Sequence, residues 1–117
     1  MTRQEAFDRA WGRFVVEGHG QSVSDRVGGP SYRGDGGARC AIGLLVTNRE
    51  YRRGWEGVSL DGIFSSLPGR VADLGFEFLR DLQNCHDYAC GDAARFRPNI
   101  ERRLRDLAAT YGLTVMS

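Results

Sequence analysis

The sequence has no lysine, three prolines, three cysteines, and no apolar run near the roughly 20 residues that a membrane helix needs. An odd number of cysteines leaves no self-consistent disulfide framework and points to a reducing, cytosolic compartment. The opening MTRQEAFDRAW interleaves acids with apolar residues and lacks the apolar core of a signal peptide, so the expected location is the cytoplasm. What is present argues for a folded chain. A hydrophobic content of 41% with a net charge of +1 excludes a disordered, highly charged tail. The 117 residues suit one domain, 1–117, large enough to bury a core. All 16 basic residues are arginine, a composition that a high-GC genome produces and that also supplies planar forks for phosphate or carboxylate.

The spacing predicts a mainly α, single compact domain of four to five helices with a long Gly/Arg-rich loop and at most a minor β element. Thr2 and Glu5 have capping-box spacing ahead of Phe7, Ala10, Trp11, Phe14 and Val15, with Gly18 as the stop. Residues 18–39 are rich in glycine and poor in apolar side chains. They read as a long irregular connection with room for a short hairpin around 31–33. The run CAIGLLV at 40–46 reads as a short buried helix, although periodicity alone does not separate it from a strand. A short helix from Ser59 to Leu67 is closed by Pro68 and Gly69. A longer helix over 71–89 and a last helix starting at Pro98 and ending at Gly112 follow. Residues 113–116 form a tail with some strand character.

Charge is segregated along the chain. Residues 26–53 carry a balance of +4, residues 56–92 of −5 and residues 95–106 of +3. Such blocks either form separate faces or pair with one another.

Chemistry concentrates in the loop 31–39. Its glycines can turn backbone amides toward an anion, Arg33 and Arg39 can clamp phosphate or carboxylate, and Tyr32 can stack on a base. The loop lacks both the G-K-[ST] of a P-loop and the G-x-G-x-x-G of a dinucleotide fold. Cys40 beside Arg39, with His86 and Asp87 elsewhere, is the minimum for a thiol-dependent hydrolase or transferase, although buried cysteine is commonly plain packing. His86 and Cys90 share helical spacing, and Cys40 and His19 would have to complete a zinc site. Without a C-x-x-C pair no metal and no cofactor are expected. Asp73, Glu77 and Asp81 recur every four residues as an acidic rail. Glu101 with Arg105, and Arg102 with Asp106, have the spacing of intrahelical pairs, which leaves nucleic-acid binding weakly supported.

Tyr32, Arg33, Gly34, Gly37, Cys40, Ala41, Ile42, Gly43, Leu45, Tyr51, Glu56 and Gly57, with Phe78 to Gln83 and then His86 and Asp87, make up one spaced pattern. Together with the opening EAFDRAWGRFVVEG it resembles a family of small uncharacterised proteins of bacteria, prophages and tailed phages. The resemblance covers most of residues 4–90. Related sequences often place cysteines where this chain has Pro30 and Leu44, so a metal or redox role built on those positions is absent here. The resemblance implies a context, not an activity.

Phage-type context implies a small accessory protein acting by binding in the bacterial host cytosol. It would antagonise host defence by sequestering an anionic, nucleotide-like ligand or by blocking a host protein. The expected ligand-binding residues are Tyr32, Arg33, Gly34, Gly37, Arg39 and Cys40, supported by Tyr51, Glu56, His86 and Asp87. The same pattern residues can instead be the internal skeleton of the fold, with Arg33 paired to Glu56 or Asp87. No membrane is expected, and a homo-oligomer is left open. A thiol enzyme built on Cys40 and His86, or a nucleic-acid-binding regulator, are the alternatives.

Overall fold

The computed structural model describes residues 1–25, 28–89 and 93–115; Cys90, and with it the His86 and Cys90 pair, lies outside them. Helix α1 spans Arg3–Trp11, where the Thr2 hydroxyl accepts the Glu5 N–H and the Glu5 carboxylate accepts the Thr2 N–H. A π-helical turn, Gly12–Val16, prolongs it and buries Phe14 and Val15. Residues 18–39 hold a two-stranded antiparallel ribbon, β1 (Val23–Ser24) and β2 (Gly29–Pro30), with Val23 opposite Pro30. The ribbon therefore lies earlier than the expected hairpin at 31–33. Those residues continue from it instead, since Ser31 N–H donates to Ser22 O at 2.9 Å and Arg33 pairs with Arg39 across the next turn.

The apolar run 40–46 is a series of tight turns and not the expected helix. Leu44 N–H donates to Cys40 O with α-helical spacing and Leu45 N–H to Ile42 O with 3-10 spacing, and no regular helix follows. Neighbouring amides go to side chains: Ile42 N–H to Gln83 Oε1 at 3.0 Å and Gly43 N–H to Cys40 Sγ at 3.3 Å. Helix α2 (Leu60–Ile63) follows, with Ser59 donating its hydroxyl to Asp61.

The single helix expected over 71–89 is two, α3 (Gly69–Ala72) and α4 (Phe76–Asp87). Gly75 separates them in the left-handed region at φ 96°, and Arg3 Nε caps the freed end through Leu74 O at 2.9 Å. Helix α5 (Ala93–Tyr111) begins before Pro98, which lies within it. The described part of the tail, 113–115, is not a strand; Thr114 N–H donates to Gln4 Oε1 at 2.9 Å.

The chain is thus mainly α, with a radius of gyration of 13.1 Å, close to the roughly 13 Å of a compact domain of this length. Helices α1, α4 and α5 enclose the centre of the core, where Phe7, Phe14, Phe78, Leu79, Leu82, Phe96, Ile100 and Leu104 are fully buried. Among the described residues no helix is long and apolar enough to cross a membrane.

Candidate functional site

Glu56 organises the region around the 31–39 loop. It follows the 3-10 turn Arg53–Trp55, and its two carboxylate oxygens accept the N–H groups of Tyr32 and Arg33, each at 2.9 Å. The Tyr51 hydroxyl donates to the same carboxylate at 2.5 Å. Burial, then this bond to an anion, pushes Tyr51 up to about 12. Tyr32 is buried edge-on against Trp55 and donates its hydroxyl to Val58 O at 2.8 Å; burial also raises its pKa.

Arg33 pairs with Glu56 through its main chain, and its side chain turns elsewhere. The guanidinium donates to Asn48 Oδ1 at 2.6 Å, Val46 O at 2.8 Å and Gly43 O at 3.3 Å, and lies over the Tyr51 ring at 5.0 Å. Burial, followed by the nearby Arg39 charge, lowers its pKa. Arg39 is half-buried and shares Asn48 at 3.4 Å. Neither side-chain pair expected for Arg33, with Glu56 or with Asp87, is formed. Backbone carbonyls and Asn48 take the place of the carboxylates.

A second polar chain runs through the interior. Gln83 accepts Ile42 N–H through Oε1 and donates from Nε2 to Asp87 Oδ1 at 3.0 Å. Asp87 Oδ1 lies 2.8 Å from His86 Nδ1, and His86 Nε2 accepts Ser22 N–H at 2.8 Å. An acceptor at Nε2 requires the proton on Nδ1, so the fully buried imidazole is held in one tautomer with both nitrogens engaged.

These bonds bear directly on nucleophilic chemistry. Cys40 is fully buried, and burial pushes its thiol up to about 12. Both His86 nitrogens are committed to Ser22 and Asp87, which leaves neither for the Cys40 thiol. The geometry therefore does not bring Cys40 and His86 together as a nucleophile and base. Among the described residues no three His, Cys, Asp or Glu side chains gather as metal ligands.

The six residues expected to hold a ligand are dispersed, and Arg39 stands half-buried beside Asn48. Arg33, Gly34 and Cys40 are packed inward. Tyr32 borders a groove that Asp87, a member of the polar chain, also lines. Gly37 borders a separate cleft with Arg13 and His19. Gly34 has no room for a side chain, because a Cβ would lie 2.4 Å from Val23 O.

The groove, of about 440 Å³, lies between the 57–61 segment and α4. Phe76, Arg80, Gln83, Asn84, Asp87 and Tyr88 line one side, and Tyr32, Val58, Leu60 and Asp61 the other. Arg80, Asn84 and Tyr88 were not singled out from the sequence. Their signal was present in the four-residue steps 76, 80, 84 and 88, which place one polar-aromatic stripe beside the apolar stripe of α4. Asp81, read as part of a solvated rail, instead accepts the Tyr111 hydroxyl at 2.6 Å; Asp73 and Glu77 are exposed. No family model, curated protein or solved structure matches this chain.

Proposed function

We propose that this chain is a small phage-type accessory protein that acts by binding, and that it antagonises host defence by sequestering a nucleotide-like small molecule. The observation that carries this reading is the groove of about 440 Å³ beside Tyr32, a size typical of small-molecule sites. It combines the surfaces such a ligand needs. Phe76 and the exposed Tyr88 offer aromatic faces for a base, and Asp61 and Asp87 accept from hydroxyls or exocyclic amines. Arg80 supplies the cation for a phosphate. Cys40 and His86, the pair of the thiol-enzyme alternative, are buried, and both His86 nitrogens are hydrogen-bonded internally, which favours holding a ligand over transforming it. Arg33 and Glu56 serve the site indirectly, by fixing the backbone that carries Tyr32.

Native mass spectrometry of the full chain purified from a bacterial host, followed by denaturing spectra and titration with nucleotides, tests the reading. A bound mass of a few hundred daltons lost on denaturation, and weakened retention in Tyr88→Ala or Arg80→Ala, is the expected result. A clean apo mass together with no uptake of any nucleotide would sink it.

A second reading, obstruction of a host protein, is favoured by the exposed apolar rim, where Val58 is 39% and Tyr88 58% accessible. Because Asp81 holds Tyr111, charge reversal belongs at the exposed Asp73, just after α3, and Glu77, in the first turn of α4. That change should weaken protein docking and leave small-ligand uptake intact.

A further inference from the structure

A second cleft, of about 310 Å³, lies between the π-helical turn Gly12–Val16 and the glycine turn Asp35–Gly37. Its side-chain wall is Arg13, His19 and Gln21, and its other wall is the chain at Gly36, Gly37 and Ala38. Among the described residues no carboxylate lines it. Both glycines are left-handed, at φ 67° and 78°, and a Cβ at either would meet nothing within 4 Å, so bare backbone faces open space.

Arg13 is held in place from both ends. Its carbonyl accepts His19 N–H at 3.1 Å, and its Nη2 donates to Gly37 O at 3.1 Å. Its Nε is buried and meets no acceptor among the described residues. That nitrogen is closed to solvent, so an entering acceptor meets the guanidinium at its outer nitrogens, of which Nη2 already donates to Gly37 O. The acids nearest in sequence are engaged or peripheral. Asp35 accepts Asp25 N–H at 3.2 Å, while the exposed Glu17 stands 4.0 Å from His19 Nε2.

We infer that this cleft binds an oxyanion of the phosphate class, either inorganic phosphate or the phosphomonoester end of a small molecule. The Arg13 fork supplies charge-assisted hydrogen bonds, the His19 imidazole adds a donor at the mouth, and the side-chain-free glycine turn allows close approach. The cleft is separate from the groove beside Tyr32, so its assignment does not rest on the nucleotide reading.

An amide-resolved nitrogen–proton NMR titration of the full chain with inorganic phosphate, at ionic strength held constant with chloride, tests the inference. Saturable shifts confined to His19, Gly36, Gly37 and Ala38 are expected, with Arg13→Gln weakening binding at least about tenfold. If Arg13→Gln disturbs folding, the half-exposed His19→Ala should weaken binding while leaving the remaining spectrum unchanged. Arg97→Gln, on exposed surface of α5, should bind like the parent chain. Ribose 5-phosphate binding more tightly than inorganic phosphate assigns the ester; equal affinity assigns the free ion. Absence of saturable shifts, equal shifts with chloride alone, or undiminished binding in a folded Arg13→Gln or His19→Ala chain would overturn it.

Discussion

Gly43 lies against the main chain of Tyr32: a Cβ built there would stand 2.1 Å from the Tyr32 carbonyl oxygen. Backbone cannot retreat as a flexible side chain can, because Cys40 N–H already donates to that same oxygen at 3.2 Å. Gly43→Ala should therefore destabilise the fold by about 3 kcal/mol, read as a lower urea midpoint at unchanged slope. Cys40 carries a chemical prediction. Burial pushes its pKa up to about 12, so the thiol stays protonated at pH 8, and the sulfur is fully buried. Cys85 is likewise buried, with its pKa raised to about 12. Both should resist iodoacetamide in the native chain and react after unfolding in guanidinium, with peptide mapping as the readout; rapid native modification of Cys40 would restore a thiol-enzyme reading. The sequence pattern marked Gly43, Cys40 and Glu56 as special without saying why. Their reasons are tertiary: the Tyr32 carbonyl that approaches Gly43 and accepts the Cys40 N–H, and two main-chain donors that converge on Glu56.

Elements were legible where local chemistry decides them. The Thr2 and Glu5 capping box and the apolar periodicity of α1, α4 and α5 act within one or two turns, so spacing reveals them. The break at Gly75 was hidden, since glycine is tolerated inside many helices and the cap on Leu74 O comes from Arg3, 71 positions earlier in the chain. The start of α3 yields a pH prediction. Arg70 donates to both oxygens of Glu50, at 2.6 and 2.8 Å, and Thr47 N–H adds a third bond at 2.8 Å. The Arg70 hydrogen bond, then the Thr47 amide, holds the Glu50 carboxyl at about 2, below its ordinary 4.5. A depressed folded-state value means that the unfolded chain binds the proton first. The stabilising contribution is thus complete above about 4.5 and is lost as pH falls through about 2. The difference in melting temperature between the parent chain and Glu50→Gln should shrink across that interval; a gap that is constant with pH would separate Glu50 from the acid response.

At the scale of the whole molecule, charge blocks along the sequence do not map simply onto opposed faces. Glu50, an acid within the basic block, pairs with Arg70, a base within the acidic block, and Arg105 on α5 pairs with Glu101 and lies over Trp11 at 5.0 Å. Summed charge could not disclose the groove, because its walls come from segments about 20 and 50 residues apart that meet only in the fold. Fold class was readable from periodicity, whereas the candidate site depends on which face of α4 turns toward Val58. That dependence supplies the prediction that discriminates best. Tyr88 is 58% exposed and Arg80 is exposed beside Asp81, so truncating either changes the groove lining without opening the core. Tyr88→Ala and Arg80→Ala should leave the melting temperature within a degree or two of the parent, as surface substitutions usually do. Loss of one aromatic face or one charge-assisted pair should at the same time lower nucleotide retention about tenfold. Arg33→Ala should behave oppositely. Its guanidinium joins Gly43 O, Val46 O and Asn48, so its removal should lower the melting temperature, with ligand uptake falling only as the fold is lost. Equal retention in the parent and both groove variants, with stability unchanged, would remove the groove as the binding site and transfer its exposed rim to the protein-blocking reading.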